Sequence, residues 1–356
     1  MKSTKQNSKN VSSLWRKIQK RWRWLLGVLG LVMAWYALRG VAWDEVLKLF
    51  SGIDTLAILS IVAINLLMLP VMTARWWLLL KTLGTPVSLL SVCAYRTAAN
   101  AISYLTPGPH FGGEPLSVYL LHQRQKISVS AATASVAVDR LLELLASFVV
   151  LALCLVNLAF AEINPFYRGQ QLSIVIGTLA LFSLILLALF TGKRPFSRSV
   201  LLISRLYGKY VNQISSRTGS FMDTLVTSES MAEALFYSHR YQFILINLLS
   251  LSHWIAIFAE FWLMSFFLGV SLSFWQMTAV VVVARLAFFT PFPAGIGVLE
   301  SALPWLTASL GLGSGLGLGL LIIIRLRDLL FSLAGLGLTT KYLTCQRKVS
   351  IIDDMQ

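Results

Sequence analysis

Long apolar runs alternate with short polar stretches along most of the chain. Six of these runs approach or exceed the roughly 20 residues that a helix needs to cross a bilayer. The pattern predicts an all-α polytopic membrane protein with about six full transmembrane helices, near residues 24–42, 56–80, 129–159, 171–191, 241–268 and 314–340.

Two further apolar stretches, residues 88–125 and 275–312, are interrupted by proline and glycine. They are too broken for a straight helix and too apolar for a surface loop. Such backbone is tolerated at membrane depth where it is buried in protein or lines a cavity. We therefore predict two re-entrant hairpins whose structural breaks are Pro107, Pro109, Gly112, Gly113, Pro291, Pro293, Gly295 and Gly297.

Three short motifs recur at an offset of about 185 residues, which indicates an internal repeat covering about 56–160 and 241–340. Three membrane crossings separate the starts of the two units, so the second unit should run upside down. Such an inverted-topology repeat brings the broken segments together near the membrane midplane. The matching pairs are Thr106-Pro-Gly-Pro with Thr290-Pro-Phe-Pro, Arg140-Leu-Leu-Glu143 with Arg325-Leu-Arg-Asp328, and Ala-Arg75-Trp-Trp with Ala-Glu260-Phe-Trp.

Composition supports the membrane interpretation, because 56% of residues are hydrophobic and only 13% are charged. The net charge of +15 does not indicate a nucleic-acid partner, since the basic residues cluster between apolar runs, as the positive-inside rule requires. Residues 1–23 hold eight basic and no acidic residues, and residues 193–240 hold seven basic and three acidic ones. Both segments and both termini are therefore predicted to be cytoplasmic, in a protein of the plasma or inner membrane.

This topology divides the chain into a basic tail (1–23), one transmembrane domain (24–340) and a short cytoplasmic tail (341–356). Hairpin 88–125 should enter from the cytoplasm and hairpin 275–312 from outside. Apolar residues within 193–240 recur every three to four positions among basic residues, which is typical of a helix lying in the cytoplasmic interface. A connector packed on the floor of the helix bundle explains the same pattern.

Charged side chains inside a membrane are costly and mark candidate functional sites. Arg140 and Glu143 lie three residues apart, as do Arg325 and Asp328, so each pair can neutralise itself on one helix face. These pairs are either functional or structural anchors for the hairpins. The full set of candidates is Arg75, Arg96, Glu114, Asp139, Arg140, Glu143, Glu260, Arg285, Glu300, Arg325, Arg327 and Asp328.

Glu114 and Glu300 each follow a glycine-rich break, and helices beginning near Gly113 and Gly297 would place them in the first turn. They are either plain helix caps or part of a polar niche for a phosphate-bearing headgroup, because free backbone N–H groups there can face an anion. The arginine partners of such a headgroup would be Arg96, Arg140, Arg285 and Arg325. We expect Glu114, Glu300, Arg140 and Arg325 to converge in one central cavity.

Glu260 lies too deep in its predicted span to reach the interface, so it needs a basic partner or a proton. Arg75 and Arg285 are the predicted partners. Gly311, Gly313, Gly315, Gly317 and Gly319 predict a small-residue helix face for close packing. No motif of an enzyme active site and no metal-binding cluster of cysteine or histidine is present, so neither catalysis nor a metal or other cofactor is expected.

Three motifs carry a resemblance to a known family: Asn100 followed by Pro107-Gly108 and Gly112-Gly113-Glu114, then Asp139-Arg140, then Pro293-Ala-Gly-Ile-Gly-Val-Leu-Glu300. Over roughly residues 20–340 the chain resembles the lysylphosphatidylglycerol synthase transmembrane-region family, also called flippase-like domain proteins. The resemblance implies an integral membrane protein that moves polar lipids or helps to make them. Few residues follow the last predicted span, so we expect the translocation-like region without the aminoacyl-transfer domain found in bifunctional members.

The combined motifs and charges give a candidate substrate-binding set of Arg96, Asn100, Glu114, Arg140, Glu143, Arg285, Glu300, Arg325 and Asp328. The expected function is translocation of a polar lipid, or assistance in it, with anionic membrane lipids as partners. Two alternatives stay open: a secondary transporter of a small anionic solute, and a non-transporting accessory subunit of a lipid- or glycan-modifying enzyme.

Overall fold

The computed structural model describes residues 54–82, 84–85, 87–106, 112–160, 239–290 and 292–353, together with Trp35, Phe50, Gly52, Val226, Thr227 and Ser230. Apart from these isolated positions and the start of the helix at Arg240, the predicted spans 24–42 and 171–191 and the predicted interfacial segment 193–240 lie outside the described residues.

The described part of the chain is helical and contains no β-strand. It has eight α-helices and one 3-10 turn, Pro293–Gly295. The helices are α1 (Thr55–Thr82), α2 (Leu89–Leu105), α3 (Glu114–Gln125), α4 (Val129–Phe160), α5 (Arg240–Phe267), α6 (Phe274–Phe288), α7 (Val298–Ser309) and α8 (Ser314–Asp353).

Three of these helices, α1, α4 and α5, are long and apolar enough to cross a membrane. Large apolar side chains such as Leu66 and Ile255 project outward from them, as lipid-facing residues do. The predicted span 314–340 lies in α8, which carries three charged residues near its middle and does not belong to this group. Helix α8 also continues without interruption through the predicted end at residue 340 to Asp353.

Each predicted hairpin is a pair of shorter helices separated by a break, α2 with α3 and α6 with α7. In both pairs, polar residues next to the start of the first helix determine where it begins. The Ser88 hydroxyl accepts a hydrogen bond from the Ser91 N–H ahead of α2. Ser273 and Gln276 form a reciprocal capping box at the start of α6. The polar residues that end each preceding loop therefore fix where the broken segments begin.

Glycine is required at both breaks. A Cβ added at Gly113 would lie 1.9 Å from the Ala99 carbonyl oxygen, so this position packs directly on the backbone of α2. In the second break Gly297 has a φ of 89°, a conformation that side-chain-bearing residues rarely adopt. Pro107, Pro109 and Pro291 lie outside the described residues.

The two halves of the chain, α1–α4 and α5–α8, contact each other in a matching way. The first helices of the halves, α1 and α5, pack together directly. Helix α2 packs on α8, and in the corresponding contact α6 packs on α4. The first helix of each broken segment therefore lies against the last helix of the other half.

The glycine face predicted between residues 311 and 319 is only partly a helix face. Gly317 does permit close packing, because an added Cβ would lie 2.6 Å from the Leu303 carbonyl oxygen. Gly311 and Gly313 instead have φ values of 74° and 79° and form the turn that precedes α8. The prediction was wrong for these two positions, since regular spacing alone does not distinguish a helix face from a glycine turn.

Candidate functional site

The first half holds a buried network of arginines and carboxylates. Arg75 of α1 places Nε 2.8 Å from Oδ1 of Asp139 and Nη2 2.9 Å from Oε2 of Glu143. Arg96 of α2 contacts the same two carboxylates, at 3.1 Å and 3.4 Å. Both arginine side chains are only 3% exposed. Because a buried charge is costly unless it is paired, this network ties α1 and α2 to α4.

Arg140 extends the network to the first break. Its Nη1 lies 2.9 Å from Oε2 of Glu143, and its Nε lies 3.0 Å from Oε1 of Glu114. Glu114 is the first residue of α3, and its other oxygen accepts a hydrogen bond from the Gly112 N–H at 2.7 Å. Glu114 is therefore both a local cap of the break and an ion partner of α4.

The second half repeats this arrangement at its own break. Arg325 of α8 places Nη2 2.6 Å from Oε1 of Glu300 in α7. The Oε2 atom of Glu300 accepts a hydrogen bond from the Gly297 N–H at 2.6 Å. Glu300 thus corresponds to Glu114 in geometry as well as in sequence: one oxygen caps the break and the other binds an arginine of the last helix of the half.

Glu260 is fully buried, and its partner is not one of the two that the sequence suggested. Its carboxylate binds Nη1 of Arg327 at 2.6 Å and accepts a hydrogen bond from the Asn65 amide at 2.9 Å. The prediction of Arg75 or Arg285 was wrong, because Arg75 is bound by α4 of its own half. The residue that reaches Glu260 across the α1–α5 contact is the neutral Asn65.

Tyr104 of α2 connects the two halves. Its hydroxyl accepts a hydrogen bond from Nη1 of Arg325 at 2.9 Å and donates one to Oδ2 of Asp328 at 3.0 Å. The predicted direct pair between Arg325 and Asp328 is therefore replaced by a bridge through the tyrosine. The cation that contacts Asp328 directly is Arg327, at 2.7 Å. Sequence analysis missed Tyr104, since no charge or repeat match marks it.

A cavity of about 280 Å³ lies between the halves, with polar groups from both networks in its wall. Helices α1, α2, α4, α5, α6 and α8 all contribute to it. Its polar lining consists of Asn65, Thr97, Asn100, Tyr104, Arg140, Glu143, Ser147, His253, Arg285, Arg327, Asp328 and Ser332. Methionine, leucine and phenylalanine side chains complete the wall, so the cavity combines a charged surface with an apolar one.

Five of the nine predicted substrate-binding residues line this cavity: Asn100, Arg140, Glu143, Arg285 and Asp328. The other four, Arg96, Glu114, Glu300 and Arg325, are not part of its lining. Of the four residues expected to converge there, only Arg140 lines the cavity. Glu114 and Glu300 are instead held by glycine N–H groups at the breaks, and Arg325 is held by Glu300 and the Ala294 carbonyl.

Arg285 differs from the other arginines of the site. It lies in the last turn of α6, and its guanidinium carbon is 5.3 Å from the centroid of the Trp254 ring. Within the described residues it forms no ion pair. Those residues also contain no group of three His, Cys, Asp or Glu side chains placed to hold a metal ion. The arginines, carboxylates and neutral polar side chains of the lining can make ionic and hydrogen-bonding contacts.

Comparison with known proteins agrees with the motifs. Residues 23–335 match the family model for the lysylphosphatidylglycerol synthase TM region. A UPF0104 membrane protein of Methanothermobacter thermautotrophicus is 22% identical over 292 residues, which cover 78% of this chain and 83% of that protein. No solved structure matches the chain. The match over most of the sequence confirms the predicted resemblance, and the chain belongs to the lysylphosphatidylglycerol synthase transmembrane-region family.

Proposed function

We propose that this protein translocates a polar lipid across the membrane, or assists that translocation. The observation that carries the proposal is the charged cavity between the two halves, enclosed by helices whose outer surfaces are apolar. A lipid headgroup needs polar contacts to enter the membrane interior, whereas its acyl chains can stay in the bilayer. A cavity near the lower end of the roughly 300–1,000 Å³ typical of small-molecule sites accommodates a headgroup and not a whole lipid.

The proposed mechanism uses the two halves as an inverted-topology repeat with re-entrant broken segments. The matching contacts of α2 with α8 and of α6 with α4 support this arrangement. Glu114 and Glu300, each bound to an arginine and to the backbone of its break, would hold the two broken segments in position. Rocking of one half against the other would then expose the cavity to each side in turn.

The orientation that goes with this mechanism places both termini and residues 193–240 in the cytoplasm of the plasma or inner membrane. Single cysteines introduced along the chain test it by labelling from each side. Reagent that reaches residues 160–170 only from the cytoplasmic side would contradict the proposed topology, although not the presence of the cavity.

Reconstitution into liposomes tests the function. Purified protein is inserted into vesicles containing one labelled lipid at a time, from a panel of phospholipids and polyprenyl-phosphate sugars. Label in the outer leaflet is then quenched from outside. Translocation makes nearly all of the label accessible, whereas protein-free vesicles protect about half. If no lipid moves while a labelled soluble organic phosphate enters the vesicles, the protein is instead a solute transporter.

The variant that ties transport to the site is Glu300→Gln. Glutamine keeps an oxygen for the Gly297 N–H but cannot neutralise Arg325, so we expect normal membrane insertion and a clear loss of transport rate. Asp54→Asn is the matched control, because Asp54 is exposed at the start of α1 and contacts only the neighbouring backbone. Full transport by an inserted Glu300→Gln protein would mean that the carboxylate is only a cap.

A further inference from the structure

Within the described part of the chain, the charged residues singled out from the sequence are paired with one exception. Of the twelve charged residues singled out from the sequence, eleven take part in the ion pairs of the two networks. Arg285 is the twelfth, and within the described residues no carboxylate lies in contact with it. Its removal would leave no partner charge behind, so the fold does not explain why an arginine stands at this position.

The position of Arg285 suits a ligand. Trp254 is 5% exposed and lies under the guanidinium, which is a stabilising cation–π arrangement. Within the described residues, the guanidinium N–H groups of Arg285 donate no hydrogen bond, so they are available to a ligand. Those groups form a planar fork that matches two oxygens of a phosphate or carboxylate. Because Arg285 lines the cavity, this fork is part of the cavity wall.

Two further polar side chains of the cavity lining, those of His253 and Asn100, have hydrogen-bonding groups without a partner in the described part of the chain. Nδ1 of His253 is buried and has no hydrogen-bond partner in the described part of the chain. The side-chain amide of Asn100 likewise forms no hydrogen bond among the described residues. Asn100 and His253 therefore have hydrogen-bonding capacity left in the same cavity wall as Arg285, which a bound molecule can use.

The charge of that molecule follows from its neighbours. Glu143 and Asp328 in the lining are each bound to arginine, so Arg285 carries the one charge of the described lining that no ion pair neutralises, and a single negative charge balances it. A cationic group would add to the charge of Arg285 and leave the fork empty. The lining thus favours a group with one negative charge and two oxygens placed for the arginine fork, and the phosphodiester of a lipid headgroup meets both conditions.

We propose that Arg285 is the anion receptor of the cavity and binds a singly charged phosphodiester, with Asn100 and His253 as hydrogen-bonding neighbours. This inference deepens the proposed function by naming the chemical class of its substrate. It predicts a preference for phosphodiester lipids over both uncharged glycolipids and lipids with a doubly charged phosphomonoester.

Binding by the detergent-purified full chain tests the assignment separately from transport. Native mass spectrometry or a tritiated-lipid binding assay gives the affinity for phosphatidylglycerol, for phosphatidic acid and for an uncharged diglucosyl diacylglycerol. We expect Arg285→Gln to weaken phosphatidylglycerol binding about tenfold or more, because a charge-assisted bidentate contact is lost. Arg285→Lys keeps the charge but not the fork, so its affinity for phosphatidylglycerol should lie between those of the native protein and Arg285→Gln. Glycolipid binding should not change.

Arg124→Gln is the control for the loss of one positive charge elsewhere. Arg124 lies in α3 and donates a hydrogen bond to the Tyr342 carbonyl, and it does not line the cavity. Because Arg285 holds no carboxylate, both glutamine variants should fold, which thermal unfolding checks. Wild-type affinity in both Arg285 variants, or equal binding of phosphatidylglycerol and glycolipid by the native protein, overturns the assignment.

The source of the phosphodiester is decided by competition. Glycerophosphoglycerol has the same headgroup without acyl chains. If it displaces the lipid at concentrations near those of the lipid itself, the receptor serves a soluble phosphodiester. If it competes only weakly, the receptor serves a lipid headgroup. If the protein binds phosphodiester lipids selectively but moves no lipid in liposomes, the proposed transport function is wrong and the assignment of Arg285 stands. If it moves all lipids equally well, the transport function stands and the assignment of Arg285 is wrong.

Discussion

The two halves of the protein carry opposite charges in matching sequence motifs, Ala-Arg75-Trp-Trp and Ala-Glu260-Phe-Trp. The first helix of the first half carries Arg75, which is bound by Asp139 of α4. The first helix of the second half carries Glu260, which is bound by Arg327 of α8. The feature that recurs is a salt bridge from the first to the last helix of each half. The polarity of the bridge differs between the halves, whereas the two helices that it joins correspond.

The halves also differ in how far their bridges are from the cavity. In the first half Arg75, Arg96 and Asp139 are all closed off from solvent, and none of them lines the cavity. In the second half Glu260 is fully buried, but its partner Arg327 lines the cavity and is 20% exposed. The first bridge therefore reaches the cavity through Glu143, a second partner of Arg75, whereas in the second half a residue of the bridge itself lines the cavity.

The largest expected effect comes from breaking the first bridge with Asp139→Ala. This change leaves Arg75 and Arg96 buried with only Glu143 between them, and stranding one buried charge costs about 3–5 kcal/mol in soluble proteins. We expect a severe loss of folded protein, measured as monodisperse yield and melting temperature in detergent. Asp54→Asn, at the exposed start of α1, should behave like the native protein. A similar melting temperature in both variants would show that the network is not an anchor.

The second bridge should respond asymmetrically when its two residues are removed separately. Arg327→Ala strands the fully buried Glu260, which keeps only the Asn65 amide, so we expect a loss of about 3–5 kcal/mol. Glu260→Ala strands Arg327, which still contacts Asp328, and should cost less. The double variant should be more stable than Arg327→Ala alone. Additive losses in the melting temperature would exclude the coupling.

A reversed pair sharpens the comparison between the halves. Glu260→Arg together with Arg327→Glu gives the second half the polarity of the first. If only completeness of the bridge matters for folding, this double variant should recover much of the yield that each single reversal loses. Recovery of folding without recovery of transport would indicate that the sign at residue 327 matters to the cavity.

Sequence analysis predicted the broken segments and the glutamate caps because these depend on local chain chemistry. Proline, glycine and a glutamate at a fixed distance define a break and the first turn after it, as at Gly297 and Glu300. The partner of Glu260 was not predictable in this way. It depends on which faces of α5 and α8 meet, and a repeat alignment points to symmetry-related positions rather than to packed neighbours.

The same limit applies to the cavity. Charges inside a membrane segment mark candidate residues, but only packing shows which of them face a ligand and which hold the backbone behind it. Tyr104 illustrates the point, since its role arises from the contact of α2 with α8 and not from its own sequence context. Arg285 was a candidate among four arginines until the pairing of the other three became known.

The contact between the halves should also be sensitive to single methyl groups. A Cβ at Gly335 of α8 would lie 2.4 Å from the Thr97 carbonyl oxygen of α2, so Gly335→Ala should push the helices apart at a cost of about 1–3 kcal/mol. Gly337, two residues along the same helix, has open space around it and provides the control. Gly337→Ala should be neutral or slightly stabilising because alanine favours helix. Equal melting temperatures for both variants would show that α2 and α8 are not in close contact.

The smallest expected effect on stability comes from Tyr104→Phe, which removes the hydroxyl that links the halves. Arg325 keeps Glu300 and the Ala294 carbonyl, and Asp328 keeps Arg327, so no charge is stranded. Loss of one hydrogen-bonding group between such partners costs about 1 kcal/mol. We expect the variant to lose a larger fraction of its transport rate than of its stability, because Tyr104 lines the cavity and connects α2 to Arg325. Melting temperature and lipid movement measured on the same preparation separate the two roles. A variant that loses several degrees of melting temperature but transports at the native rate would make Tyr104 a packing residue only.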